Sequence, residues 1–189
     1  FTNLSIYDYL SNKKILDIGC GTGEFLKNYH NLKNQCSGID IQQNFKFKNK
    51  IGYHLKKTDI QSFIKNNKKK FDVIFLFEFL EHLNLTERKF LFKNLFNLLN
   101  KNSLIFISTI NKNMISKFLA IELAENYFKL LPENTHDYKY FLKPSEIQYL
   151  AKKNKLQFID TTGITYNPIF KNFKLSNISL VNYFVSLRN

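Results

Sequence analysis

The segment from Lys13 to Gly23, KKILDIGCGTG, is an apolar run that enters a turn holding Gly19, Gly21 and Gly23. Glycine tolerates positive φ and lets the backbone approach a ligand closely, and a helix starting at such a turn presents unpaired N–H groups. A ligand is expected there, although a bare G-x-G pattern also fits nicotinamide and flavin sites. Two details bear on the choice. Asp17 stands just ahead of the glycines, where a carboxylate repels a pyrophosphate but accepts a hydrogen bond from an ammonium group. Leu26 occupies the position that the third glycine of the dinucleotide fingerprint needs. About 20 residues downstream, Gly38-Ile39-Asp40 offers an acid that can accept hydrogen bonds from both hydroxyls of a ribose.

Further along, Asp59 in Thr58-Asp59-Ile60 either receives an adenine amino group or caps the following helix. Phe77 either lines an adenine pocket or packs in the core. Glu78, Glu81 and His82 stand at i, i+3 and i+4, which places all three on one face if the chain turns helical there. Two carboxylates and an imidazole can hold a divalent ion; otherwise the acids are solvated and His82 caps a helix. Without a metal, His82 is the candidate general base, because an imidazole titrates close to working pH. His136 beside Asp137 is a second candidate base that could equally order a turn.

The scaffold these residues need is written in the alternation of short apolar runs with helix-period segments, the mark of an α/β fold with a mostly parallel sheet and helices on both faces. Seven strands are expected, at about 13–18, 35–40, 52–57, 71–77, 103–109, 156–164 and 180–187. Helices are expected at about 22–31, 86–100 and 144–154, with weaker ones near 4–10, 42–48 and 59–67. The last two strands follow one another without a crossover helix, so an antiparallel hairpin at the sheet edge is expected. Residues 111–143 interrupt the alternation: Ile115, Phe118, Leu119, Leu123 and Tyr127 fall at helical spacing ahead of a turn from Pro132 to His136. An insertion at the carboxyl end of a strand is expected to serve a substrate.

A length of 189 residues suits a single domain, 1–189, with 111–143 as its insertion. The chain starts at Phe1 and reads as trimmed, with no signal-peptide pattern and no apolar run long enough to span a bilayer. Cys20 and Cys36 match neither a disulfide scaffold nor a zinc ribbon, which favours a reducing, cytoplasmic compartment and two packing thiols. The net charge of +13 ordinarily points to nucleic acid or an anionic surface. Lys, Asn, Phe and Ile are heavily used while Trp is absent and Gly scarce, the pattern of an AT-biased genome. The charge is therefore discounted as a footprint, and nucleic acid is not the expected partner.

ILDIGCGTG, SGID, KTDI and FDVIFLFEFLEHL, in that order, resemble the motif series of the class I S-adenosylmethionine-dependent methyltransferases. The resemblance implies their Rossmann-like fold, seven strands with one antiparallel edge strand. It also implies that Asp17, Gly19, Gly21 and Gly23 hold the methionine part of the cofactor, Asp40 the ribose, and Asp59 and Phe77 the adenine. Seven later segments, from FEFLEH through STIN, THD, FLKP, TGITYNP and FKL to VNY, resemble the ubiquinone biosynthesis O-methyltransferase family over nearly the whole chain. That likeness implies methylation of a phenolic oxygen on a polyprenylated catechol-type ubiquinone precursor, with Mg2+ dependence at Glu78, Glu81 and His82.

The chemistry is consistent: a phenol with a pKa of about 10 is a poor nucleophile until a base takes its proton or a Lewis acid binds its oxygen. A substrate with a prenyl tail lives in membrane, and the apolar stripe in 111–131 with Lys112, Lys117 and Lys129 could lie on the inner face of an anionic bilayer. The same stripe could instead pack as a lid. Two departures stand out: nothing in Phe1 to Ser11 matches the family's Arg-bearing N-terminal segment, and the stretch from Asp40 to Tyr53 is short. Two rivals to a quinone methyltransferase remain, a methyltransferase acting on another small molecule or on nucleic acid, and a cofactor-free scaffold in a ubiquinone-biosynthesis complex.

Overall fold

The computed structural model describes residues 6–30, 34–42, 45–118, 137–167 and 172–189. The strands are β1 (Lys14–Ile18), β2 (Gln35–Asp40), β3 (Tyr53–Lys57), β4 (Phe71–Phe77), β5 (Leu99–Ile110), β6 (Gln157–Asn167), β7 (Asn172–Ser176) and β8 (Asn182–Arg188). The helices are α1 (Ile6–Leu10), α2 (Glu24–Lys27), α3 (Ile60–Asn66), α4 (Leu85–Leu95), α5 (Met114–Lys117) and α6 (Pro144–Lys153). One sheet holds all eight strands in the order β3-β2-β1-β4-β5-β8-β6-β7. From β3 to β5 every pairing is parallel, and the β5–β8, β8–β6 and β6–β7 pairings are antiparallel.

Both faces are covered, which is why the central strands are apolar at almost every position. In β4, Ile74 and Leu76 join Leu16, Ile18, Ile105 and Ile107 under Leu91, Phe92 and Leu95 of α4 and Ile147 and Leu150 of α6. Val73 and Phe75 face the other way, onto Ile15, Leu10 of α1 and Leu26 of α2. Asn84 starts α4 with a capping box, accepting from the Thr86 and Glu87 N–H groups while Glu87 accepts from the Asn84 N–H. Cys20 and Cys36 are buried free thiols, pushed up to about 12, chiefly by burial.

Several expectations need correction. The sheet has eight strands rather than seven, because the solvent-exposed Asn172–Ser176 pairs with β6 as an edge strand. The expected hairpin partners do pair, but β8 lies inside the sheet between β5 and β6; its Tyr183, Val185 and Leu187 are fully buried, which an edge would not provide. Finally, residues 45–48 of the expected 42–48 helix are irregular. Their course is fixed from outside: Lys46 N–H donates to the Thr22 carbonyl at 3.1 Å, and the Asn49 amide clamps Leu55 at 2.6 and 3.1 Å. The 22–31 helix likewise shortens to Glu24–Lys27, and the 86–100 helix gives way to β5 at Leu99.

Candidate active site

A cavity of about 900 Å³ opens at the carboxyl ends of β1 to β4. Its first wall is the turn after β1. Gly19 and Cys20 donate their N–H groups to the Ile39 carbonyl, which locks the turn to the end of β2. Gly19 has φ +79, and a Cβ there would come within 2.5 Å of the Phe79 ring. Gly23, at φ +80, starts α2 where a Cβ would strike Leu55 and the Tyr53 hydroxyl, which donates to its carbonyl at 2.7 Å. Both positions therefore require glycine for conformation and for space.

Asp40 closes β2 with each carboxylate oxygen held by one backbone donor, Oδ2 by Gly21 N–H at 2.9 Å and Oδ1 by Gln42 N–H at 2.8 Å. A carboxylate has about four acceptor positions, so about two are left for a ligand. Asp17 lies buried behind the turn, and its pKa is raised to about 7, first by burial and then by the Asp40 charge. Such a carboxyl gains an ionised state when a cation arrives beside it.

The second wall comes from the end of β4. Glu78 takes a left-handed backbone, φ 47, so the chain leaves the strand abruptly and a single 3₁₀ turn forms at Leu80–His82. Glu78 is exposed, and its Oε1 accepts from the Ser108 hydroxyl at 2.8 Å, while its N–H donates to the Ser108 carbonyl. Glu81 is buried, accepting from the Thr109 hydroxyl at 2.8 Å. Its Oε1 has no hydrogen-bond partner among the described residues. Burial first, then the neighbouring Glu78 charge, holds the Glu81 carboxyl well above the usual carboxylate range. Arg88, buried in α4, donates from Nε to the Leu80 carbonyl at 2.9 Å and from a terminal nitrogen to the Tyr140 carbonyl, tying this turn to the segment before α6.

A family profile described as Methyltransferase domain matches residues 5–161. The ubiquinone biosynthesis O-methyltransferase of Pelagibacter ubique strain HTCC1062 is 38% identical over 92% of this chain and 74% of its own length. The protein of the same name from Coxiella burnetii strain RSA 493 is 35% identical over 92% of this chain and 76% of that one. The chain belongs to the ubiquinone biosynthesis O-methyltransferase family. Among solved structures, an S-adenosylmethionine-dependent methyltransferase from Archaeoglobus fulgidus superposes with TM-score 0.69 over 94% of this chain and 86% of that one, at 17% identity. The magnesium protoporphyrin IX methyltransferase of Synechocystis, with bound S-adenosylhomocysteine, gives TM-score 0.64 over 95% and 75% at 16% identity. This methyltransferase thus shares the fold of that S-adenosylmethionine-dependent enzyme.

The residues fit that nucleoside: the glycine turn leaves room beside Asp40, and both line one cavity with Thr58, Asp59 and Ile60. Other expected residues sort differently. Asp59 lines the cavity and also caps α3, accepting from Ser62 N–H at 2.8 Å; that bond holds its carboxyl below the ordinary range. Phe77 packs on Phe25, Phe75 and Phe184 at 5.1 to 5.8 Å, and it is Phe79 that reaches the cavity wall. Glu78 and His82 line the cavity, while Glu81 sits behind them. The three-ligand cage does not assemble: no three His, Cys, Asp or Glu side chains among the described residues converge to hold a metal. The i, i+3, i+4 spacing assumes a helix from Glu78, whereas Glu78 is left-handed and the turn begins at Leu80. His136 lies outside the described residues. Sequence reasoning assigned no role to Ser108, Thr109 or Arg88; the signal for the first two was a pair of hydroxyls closing an otherwise apolar strand.

Proposed function

We propose that this chain transfers a methyl group to a phenolic oxygen of a polyprenylated catechol in ubiquinone biosynthesis. The observation that carries the reading is the sharing of one cavity by the cofactor wall, Gly19, Gly21 and Asp40, with the acidic wall, Glu78, Phe79 and His82. The names of the relatives point to the same substrate class. Bound S-adenosylmethionine supplies an electrophilic methyl carbon. Asp40 and the glycine turn hold the nucleoside, Asp17 answers its ammonium group, and Phe79 covers Gly19 and helps exclude water.

His82 is exposed at the cavity wall, and we read it as the base that takes the phenolic proton. In proteins generally, magnesium is held by one or two carboxylates, with water and substrate oxygens completing its shell. Glu78, which lines the cavity, would be the carboxylate to hold it, with Glu81 buried behind. The ion would lower the pKa of the catechol; Ser108 orients Glu78 for it, and Thr109 donates to Glu81.

The lipid tail has a destination on the same side. Met114, Ile115 and Phe118 are exposed on and just after α5, with Lys112 and Lys117 packed on the Tyr138 ring. We read this as the described part of a surface that rests on an anionic membrane. No helix among the described residues is long and apolar enough to cross one. Incubation with S-adenosylmethionine and a short-chain prenylated catechol should yield the methyl ether and S-adenosylhomocysteine. Binding of S-adenosylhomocysteine without any turnover of such catechols contradicts the substrate. Deleting 112–130 should abolish liposome binding and spare cofactor binding; unchanged liposome association removes the membrane surface.

A further inference from the structure

At the opposite, amino end of the sheet lies a second hollow of about 800 Å³. Its floor breaks the rule that a parallel sheet is apolar on both faces. In the register of β1, β2 and β3, Lys14 pairs with Gln35 and Ser37 with His54, so these four polar side chains share one face. Further along the same face, Leu16, Ile18 and Ile39 are buried with Ile60 of α3. The cause is the length of α3: seven residues span only about 10 Å, and the amino ends of the strands lie uncovered.

The rim is cationic. The chain leaving α3 returns to β4 through Lys68, Lys69 and Lys70, all exposed and all lining the hollow, with His30 on the far side. No Asp or Glu among the described residues lines it. Asp72, the nearest acid in sequence to the lysine run, has its carboxylate taken by the Lys14 N–H at 2.8 Å and the Asn100 amide at 2.7 Å. An AT-rich composition explains many lysines, but not their convergence, without acids, on a concave polar floor. Such a cleft focuses positive potential.

We propose that this hollow binds a soluble ligand carrying two or more adjacent phosphates. Concavity favours a small ligand over a bilayer or an extended nucleic acid strand. The hollow also lies at the end of the strands away from the catalytic cavity. The shared chemistry is a chain of phosphates, whose source can be a nucleoside triphosphate or a free polyphosphate.

The test is calorimetric titration of the full chain with tripolyphosphate and with ATP at about 0.1 M salt. Saturable binding of at least one is expected, weakened on the order of tenfold or more by Lys68→Ala/Lys69→Ala/Lys70→Ala and by His54→Glu. Tighter binding of ATP identifies a nucleotide ligand, and equal binding a phosphate chain alone; both support the site. Lys89→Ala/Lys93→Ala/Lys152→Ala removes the same charge from exposed positions on α4 and α6 and should leave the affinity unchanged. All variants should bind S-adenosylhomocysteine like the parent, which separates this site from the catalytic one. The proposal is overturned by no binding up to about 5 mM, by equal weakening in the two triple variants, or by no weakening in either. Phosphatidylglycerol vesicles or an RNA oligomer held through Lys68 to Lys70 when both phosphate probes fail would also overturn it.

Discussion

The two walls of the catalytic cavity are built by different means. The β1–β2 wall is mostly backbone: glycines with positive φ, N–H groups locked on Ile39, and a carboxylate aimed by the N–H groups of Gly21 and Gln42. The β4–β5 wall is made of side chains that meet across neighbouring strands, Glu78 on Ser108 and Glu81 on Thr109. A backbone site depends on local residue type and tolerates few replacements. A cross-strand site depends on register and can lose its chemistry while leaving its neighbour intact.

Perturbing one wall at a time makes that contrast measurable. Gly19→Ala must bring a methyl group into Phe79 at a left-handed position; cofactor affinity should fall on the order of 100-fold or more in calorimetry. Loss below tenfold would mean the turn adapts and the wall is not rigid. Glu78→Ala should lower kcat by roughly 100-fold while S-adenosylhomocysteine binds normally. A parallel loss of cofactor affinity would show that the two walls are one unit. Asp40→Ala should cost about 2–3 kcal/mol of cofactor affinity, and unaltered binding would contradict its ribose role. Asp59→Ala removes the α3 cap and should lower the midpoint of denaturant unfolding, with a smaller effect on cofactor binding than Asp40→Ala.

The smallest effect expected is on pH dependence. The carboxyls of Asp17 and Glu81 both have folded pKa values raised above their ordinary ones. The folded protein therefore holds protons that the unfolded chain has released, and their contribution is fully present below about pH 4. It is lost as pH climbs to about 7 for Asp17. The melting temperature of the cofactor-free protein should fall from pH 5 to pH 8, and Asp17→Asn should flatten that slope. Affinity for the ammonium-bearing cofactor should rise over the same interval, because Asp17 must ionise to answer it. An affinity indifferent to pH would remove Asp17 from the site.

The contrast also explains what the sequence could and could not reveal. ILDIGCGTG and SGID carry their signal in residue type and order, so the glycine turn after β1 and the acid closing β2 were legible, although Gly19 and Gly23 meet Ile39, Phe79, Tyr53 and Leu55 from elsewhere in the chain. The strands β1 to β4 were legible for the same reason, as short apolar runs bounded by polar loops. For Phe77 a place in the adenine pocket and a place in the core could not be told apart, and Phe79 was not singled out, because which side chain faces the cavity follows from the left-handed exit at Glu78, and nothing in a glutamate announces positive φ. The place of β8 was hidden too: pairing with β6 is local in sequence, whereas insertion beside β5 is settled by which strand can bury Tyr183, Val185 and Leu187.

The left-handed backbone at Glu78 has a consequence for how this protein would respond to selection. A non-glycine residue held at φ 47 costs about 1 kcal/mol or more. Glu78→Gly would release that strain, and a search for heat-resistant variants should recover it as a more durable but inactive protein. A catalytic role for Glu78 would then occupy a position where durability alone would choose a different amino acid.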